Sequence, residues 1–310
     1  MKLNKAWVAL FWVVVFWLTA QILSVSILQL LCWNYVTELI EGNYEAIPNF
    51  RTKLHIVYLI GHSVGFVLLP LFYMYRINPG IRTELLKNKD SKITFMFLLS
   101  AVFLILSAMP SVALLADINR YVLSEKIIGS WHHVFNTLEE SMMKQTILIV
   151  SYDSALSAIM VTLVIAVLPA IGEELIFRGL LQNEFIHISG NKHLAVWVSA
   201  FVFSFIHFQF YGFLPRMFLG VLLGYSYLLS GNILVSMGMH FTNNFIAMIA
   251  MNIALKNNQP IPTTDSAKDI PIYIIILSVA SVFTIIMLLF RMHRKYFLTH
   301  KNNSEHAHIL

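Results

Sequence analysis

The sequence predicts an all-α fold: a polytopic transmembrane helical bundle of about eight spans enclosing a polar intramembrane cavity. Three observations predict it. Of the 310 residues, 58% are hydrophobic and only 12% are charged, about half the charged share of a soluble domain. Apolar runs of about 18–25 residues recur along the chain, each long enough as a helix to cross a ~30 Å hydrocarbon core. One of those runs breaks its own rule: between Ala155 and Ile186 it carries Glu173, Glu174 and Arg178. An ionised group at bilayer depth costs about 2.5–3.5 kcal/mol on insertion scales. Such groups persist where they pair, face a wet cavity or do chemistry. The plain alternative is a helix end lying among headgroups.

The spans are expected at roughly 7–31, 55–77, 93–115, 155–178 (continuing to about 187), 194–211, 213–230, 232–254 and 272–292. They divide the chain into an N-terminal transmembrane region with an interfacial helix (1–150), a core (151–255), and a last span with its tail (256–310). The first apolar segment is too long for a signal-peptide core and lacks a small-residue cleavage site, so it reads as a retained span. Cys32 is the single cysteine, which rules out an intrachain disulfide and thiolate-rich metal sites.

Charge sets the orientation. Arg76, Arg82, Lys87, Lys89 and Lys92 follow the second span, Arg291, Arg294 and Lys295 follow the last, and Lys2 and Lys5 precede the first. The alternate loops are acidic or mixed, with Glu38, Glu41, Glu45, Asp117, Glu125, Glu139, Glu140 and Asp153. An even number of spans with this bias places both termini in the cytoplasm of a multi-pass membrane protein. The basic residues belong to that topology, so the net charge of +5 implies no nucleic-acid partner.

Between Asp117 and Ser154, Trp131, Val134, Phe135, Leu138 and Met142 recur at helical spacing, which reads as an interfacial amphipathic helix. His132 and His133 project about 100° apart on it and suit headgroups better than a metal. The stretch from Lys256 to Pro271, with Pro260 and Pro262, is expected to be irregular and to cover a cavity mouth. The polar tail after Lys301 is expected to be mobile. Gly220 and Gly224 form a small-xxx-small pair, a helix-packing signal.

Two further spans carry polar groups at depth. The fifth contains Phe203 and His207, and the seventh contains His240 and Asn244, each pair four residues apart and so on one helical face. Taken singly, an intramembrane His or Asn is commonly an interhelical hydrogen-bond partner, and Phe203 is as readily core as it is a wall for the His207 ring. Together they bring a carboxylate, two imidazoles and an amide from three spans into a chain otherwise short of such groups. A carboxylate and an imidazole sharing a water can deprotonate it for attack on a carbonyl. A second imidazole and an amide can hold the resulting oxyanion. Arg178, four residues after Glu174, is placed to pair with it, leaving Glu173 about 100° round the helix to face the cavity. The register is the weak point. Counted from the span ends, Glu173, His207 and His240 start at different depths, and shifted ends are needed to bring them level.

These residues carry a resemblance. Glu173-Glu174-x-x-x-Arg178, Phe203-x-x-x-His207 and His240-x-x-x-Asn244, in this order on successive spans, resemble the three motifs of the CAAX-protease and bacteriocin-processing (CPBP, Abi) family, which includes the type II CAAX prenyl endopeptidases. The resemblance covers roughly residues 150–255. It implies an intramembrane protease in which Glu173 with His207 activates water, His240 with Asn244 holds the oxyanion, and Glu174, Arg178 and Phe203 support them. It implies a membrane-embedded or lipid-anchored peptide or protein as substrate, of CAAX type or bearing a leader. The family is often labelled metalloprotease. Glu173, His207 and His240 could form a His₂Glu set for a divalent metal such as zinc. The chain has no HExxH, however, and a metal-free route in which the glutamate drives the reaction is the reading carried forward. Two rivals stand beside the enzyme. A non-catalytic immunity or scaffold protein would bind a peptide in the same cavity. A proton-coupled transporter would use the Glu and His residues as a relay, but the chain lacks the paired repeats of such proteins.

Overall fold

The computed structural model describes residues 2–259 and 267–298, and every regular element among them is helical. Nine helices build the frame: α1 (Lys2–Leu31), α2 (Phe50–Ile77), α3 (Ser91–Val122), α4 (Trp131–Val150), α5 (Ala155–Ser189), α6 (Lys192–Phe205), α7 (Phe213–Ser230), α8 (Ile233–Lys256) and α9 (Ile272–His293). Among the described residues, seven of these are long and apolar enough to cross a membrane. Helix α4, over the segment expected to be interfacial, is not among the seven. Helix α6 is the departure from the expected eight spans. The sequence suggested a span over 194–211, but the helix stops at Phe205 after 14 residues, roughly 21 Å of rise. Ile206 to Gln209 form a turn in which Phe208 takes φ +54, and a short 3₁₀ turn over Phe210–Gly212 leads into α7. The aromatic content of 205–210 made that turn look like membrane helix. Its effect is to lift His207 out of a regular helix.

Local chemistry sets most of the boundaries. Ser154 and Ser157 form a capping box at the start of α5, and Gly190 ends it in the left-handed region at φ +67. Asn191 caps α6, Asn232 caps α8 and Asp90 caps α3, each accepting from backbone N–H groups of the first turn. Helix α5 is not uniformly α-helical. Residues 162–167 and 175–182 are wound as wider π turns, which flank the Glu pair on both sides.

The two ends of the bundle are defined by loop contacts. At one end the Asn88 amide donates to the Gly231 carbonyl and the Asn232 side chain donates to the Asn88 carbonyl, both at 2.9 Å. This is the end bearing the Lys- and Arg-rich loop 76–92. At the opposite end Asn119 donates to the carbonyls of Phe210 and Tyr211 at 2.8 and 2.9 Å, and the Tyr211 hydroxyl lies 2.7 Å from His132 Nδ1. The α6–α7 turn and the start of α4 therefore share that end.

The glycine pair does the packing work read from the sequence. A Cβ on Gly220 would lie 3.1 Å from Ala200 Cβ, and one on Gly224 would lie 2.9 Å from both Gln182 Oε1 and Val196 Cγ1. Helix α7 thus presses against α5 and α6. The close approach exposes two carbonyls one turn apart, and α5 reads them with two donors one turn apart: Arg178 Nη2 to Gly220 O at 3.1 Å and Gln182 Nε2 to Gly224 O at 3.2 Å. Gly172 plays a similar part against α2, where a Cβ would lie 2.6 Å from that of Phe66.

Candidate active site

Glu173 lies 18 residues from Ala155 and 16 from Ser189, so it stands near the middle of α5 (173 − 155 and 189 − 173). Its neighbour Glu174 points the other way, into protein. Glu174 is fully buried and accepts from Arg178 Nη1 at 2.8 Å, with Arg178 1% exposed. A buried ion pair is fully stabilised only when its remaining valences are met. Here they are met only in part: Arg178 Nη2 reaches the Gly220 carbonyl and the guanidinium lies 4.9 Å from the centre of the Phe203 ring, while Arg178 Nε and Glu174 Oε2 are buried with no hydrogen-bond partner among the described residues.

The same Glu174 oxygen receives His240 Nδ1 at 2.9 Å. A carboxylate oxygen only accepts, so Nδ1 carries the proton of that bond. This turns His240 Nε2 toward Glu173, 3.7 Å from Oε2. His207 is fixed by parallel logic. Its Nδ1 donates to the Phe203 carbonyl at 2.7 Å, and its Nε2 faces Glu173 Oε1 at 4.0 Å. Phe203 packs against both rings, with centroids 5.0 Å from His207 and 6.0 Å from His240. The three residues that looked out of register in the sequence thus meet, with the two rings gathered around the Glu173 carboxylate. The turn after Phe205 and the wide turns of α5 supply the shift.

Asn244 also lines the cavity, but its side-chain amide donates to the Ile165 carbonyl at 3.2 Å, and Asn243 donates to its Oδ1 at 3.1 Å. One N–H of the Asn244 amide is therefore committed and one remains.

The carboxylate of Glu173 faces a cavity of about 730 Å³. Its walls come from more of the chain than the three motif-bearing spans. Helix α3 gives Ile105 and Arg120, α4 gives His132, Asn136 and Glu139, and the α6–α7 turn with α7 gives Gln209, Tyr211 and Arg216. Residues 260–266, in the stretch expected to cover the mouth, lie outside the described residues; the described cover is α4. His132 is corrected with it. It turns inward, 2.8 Å from the Leu123 carbonyl and beside Tyr211, while His133 faces out near Glu125 at 3.8 Å. Arg216 is the main residue the sequence reading passed over. It holds Gln209 through two hydrogen bonds, at 2.8 and 3.3 Å. A lone arginine four residues into an apolar span was the signal that could have found it. Glu173 and His207 also line a smaller cavity of about 270 Å³ that runs between α1, α2 and α4 past His62.

Among the described residues, no group of three His, Cys, Asp or Glu side chains is gathered to hold a metal. Glu173 stands 3.7 and 4.0 Å from the two imidazole nitrogens. These side chains, as arranged, do not fit the zinc set the sequence allowed.

Residues 155–246 match the family model for type II CAAX prenyl endopeptidase Rce1-like proteins. The chain carries an Rce1-like segment. That segment contains all three motifs, from Glu173 to Asn244. No match was found among curated proteins or among solved structures. The Rce1-like segment spans α5 to the middle of α8, so α1–α4 and α9 are frame around it.

Proposed function

We propose that the chain hydrolyses a peptide bond of a membrane-associated peptide or protein, with Glu173 as general base. The supporting observation is the carboxylate of Glu173 flanked by two ring nitrogens at 4.0 and 3.7 Å within a cavity. Those separations are too long for direct hydrogen bonds and suit a water held about 2.8 Å from each partner. Glu173 takes a proton from that water, and His207, whose Nε2 lone pair faces the same point, holds the water for attack. The carbonyl oxygen becomes an oxyanion. The uncommitted N–H of Asn244 is one donor for it, and His240 Nε2 is a second when both ring nitrogens carry protons, its Nδ1–H being held by Glu174. Glu173 then returns the proton to the leaving amine. Glu174, Arg178 and Phe203 touch no substrate in this scheme; they set the tautomer and angle of His240 and wall the site.

The experiment compares peptides of membranes bearing the wild-type protein with those bearing Glu173→Gln. Peptides released only by the wild type support hydrolysis. Identical peptide sets, with both proteins folded and present at equal amounts, would falsify it.

A further inference from the structure

We infer that the site is served from the face of the membrane opposite the cytoplasm, and that its substrate is an exported, membrane-associated peptide. The inference rests on the hydrolase reading for the word substrate, and on independent geometry for the side of entry.

The first observation is where the cavity opens. Helices α3 and α5 line it from mid-depth toward one end, and α8 meets it just short of its own middle, at His240 to Asn244. Helix α3 runs from Ser91 at the basic end, yet contributes Ile105, Arg120 and the following Ser124. Helix α7 contributes from Pro215 to Leu223, the half that begins at the α6–α7 turn. Helix α4 and the turn residues Gln209 and Tyr211 complete the mouth. All of these belong to the end at which Asn119 bonds Phe210 and Tyr211. The smaller cavity follows the same direction. It shares Gln21, Tyr58 and Gln145 with a third, which continues to Leu39 and Tyr44 in the loop between α1 and α2.

The second observation is the seal on the other side. From Glu174 to Glu184 the α5 helix is buried at every position. That is about 15 Å of closed packing between Glu173 and the basic end. Met74, Leu85 and Tyr227 pack against it, and Tyr227 donates to the Glu84 carbonyl at 3.0 Å. Among the described residues, neither of the two cavities that Glu173 lines reaches that end.

The third is charge. The loop 76–92 holds Arg76, Arg82, Lys87, Lys89 and Lys92, five basic residues in 17. The loop 117–154 at the cavity end holds Arg120, Lys126 and Lys144, three in 38. Short loops rich in Lys and Arg stay in the cytoplasm. The sealed end is therefore cytoplasmic and the open end is not. A peptide reaching Glu173 comes from the far side, after or during export. A lipid-modified carboxy terminus presented from the cytoplasm would meet the closed packing of α5.

The test uses the full chain in intact cells, with Cys32→Ser as background and one new cysteine at a time. Lys126→Cys marks the cavity end and Lys89→Cys the basic end; both positions are exposed and neither is part of the site. A membrane-impermeant maleimide is expected to label Lys126→Cys on intact cells and Lys89→Cys only after permeabilisation, with at least tenfold contrast at each. The reverse pattern overturns the inference. The substrate is then tested by recovering peptides from the exported and cytoplasmic fractions of wild-type and Glu173→Gln cells. Differences confined to the exported and membrane fractions support it. Differences confined to the cytoplasm overturn it even if the labelling holds. Absence of any difference, with labelling as expected, sinks the hydrolase reading and leaves the side of entry standing.

Discussion

The Oε1 atom of Glu174 holds His240 by its Nδ1 at 2.9 Å, and the same oxygen holds Arg178 at 2.8 Å. A single buried carboxylate thus joins a structural ion pair to a ring that faces the cavity. The two duties can be separated. Glu174→Gln leaves Arg178 buried without its counter-charge, and the expected loss of stability is about 3–5 kcal/mol. The double variant Glu174→Gln with Arg178→Met removes both charges and should recover most of that loss, since replacing a buried pair by apolar volume is often near neutral. It should not recover cleavage, because the acceptor-only carboxylate that fixes the His240 tautomer has become a neutral amide that can equally turn an N–H toward Nδ1. Melting of the two variants beside their peptide turnover checks this. A double variant with full activity would end the positioning role of Glu174.

Gly220→Ala places a methyl 3.1 Å from Ala200 Cβ and pushes α7 away from the Arg178 donor. Overpacking of this kind costs about 1–3 kcal/mol. Gly80→Ala is the control, for its Cβ would meet nothing closer than 3.7 Å. Denaturation should separate the two; equal stabilities would contradict the close contact.

Phe208 is a bulky residue at φ +54, directly after His207. Its ring meets Trp17 and Phe205, each with centroids 6.0 Å away. Left-handed backbone at a non-glycine residue costs on the order of 1 kcal/mol or more. Phe208→Ala and Phe208→Gly both lose the ring contacts, but only the second relieves the backbone. The glycine variant should be the more stable by up to about 1 kcal/mol. An alanine variant at least as stable as the glycine variant would remove the claim of strain.

Burial holds the Glu139 carboxyl above its ordinary value of 4.5, against the pull of Arg216, Arg120 and the Tyr211 backbone. The sign follows from linkage. A group with a raised folded pKa adds stability that is complete below about 4.5 and is lost as pH rises through the folded value. Glu139→Gln keeps the neutral form at every pH. The melting temperature of the variant relative to the wild type should therefore climb as pH rises from about 4.5. Parallel pH profiles would show that Glu139 titrates as it does in water.

Cleavage should persist after exhaustive chelation, at a rate within about twofold of the untreated protein. Loss of activity restored by one added divalent metal would require a ligand set other than the arrangement around Glu173 described above.

The helices, their order and the list of polar residues were legible in the sequence because hydrophobic length and charge density are local properties. The pairing of Glu174 with Arg178 was legible too, since four residues make one turn of a helix. Arg216 and His132 were not, because which face of a helix turns inward depends on what packs beside it. The end of α6 was misread over the aromatic run from Phe205 to Phe210, where hydropathy does not distinguish a helix from a turn. Sequence alone determined that a carboxylate, two imidazoles and an amide lie within a membrane-spanning frame. Tertiary structure decided that they meet, which of two adjacent glutamates faces the cavity, and from which end the cavity is reached. The reason is physical: composition fixes what each segment can dissolve in, while the approach of separate helices, allowed here by Gly172, Gly220 and Gly224, fixes the distances on which proton transfer depends.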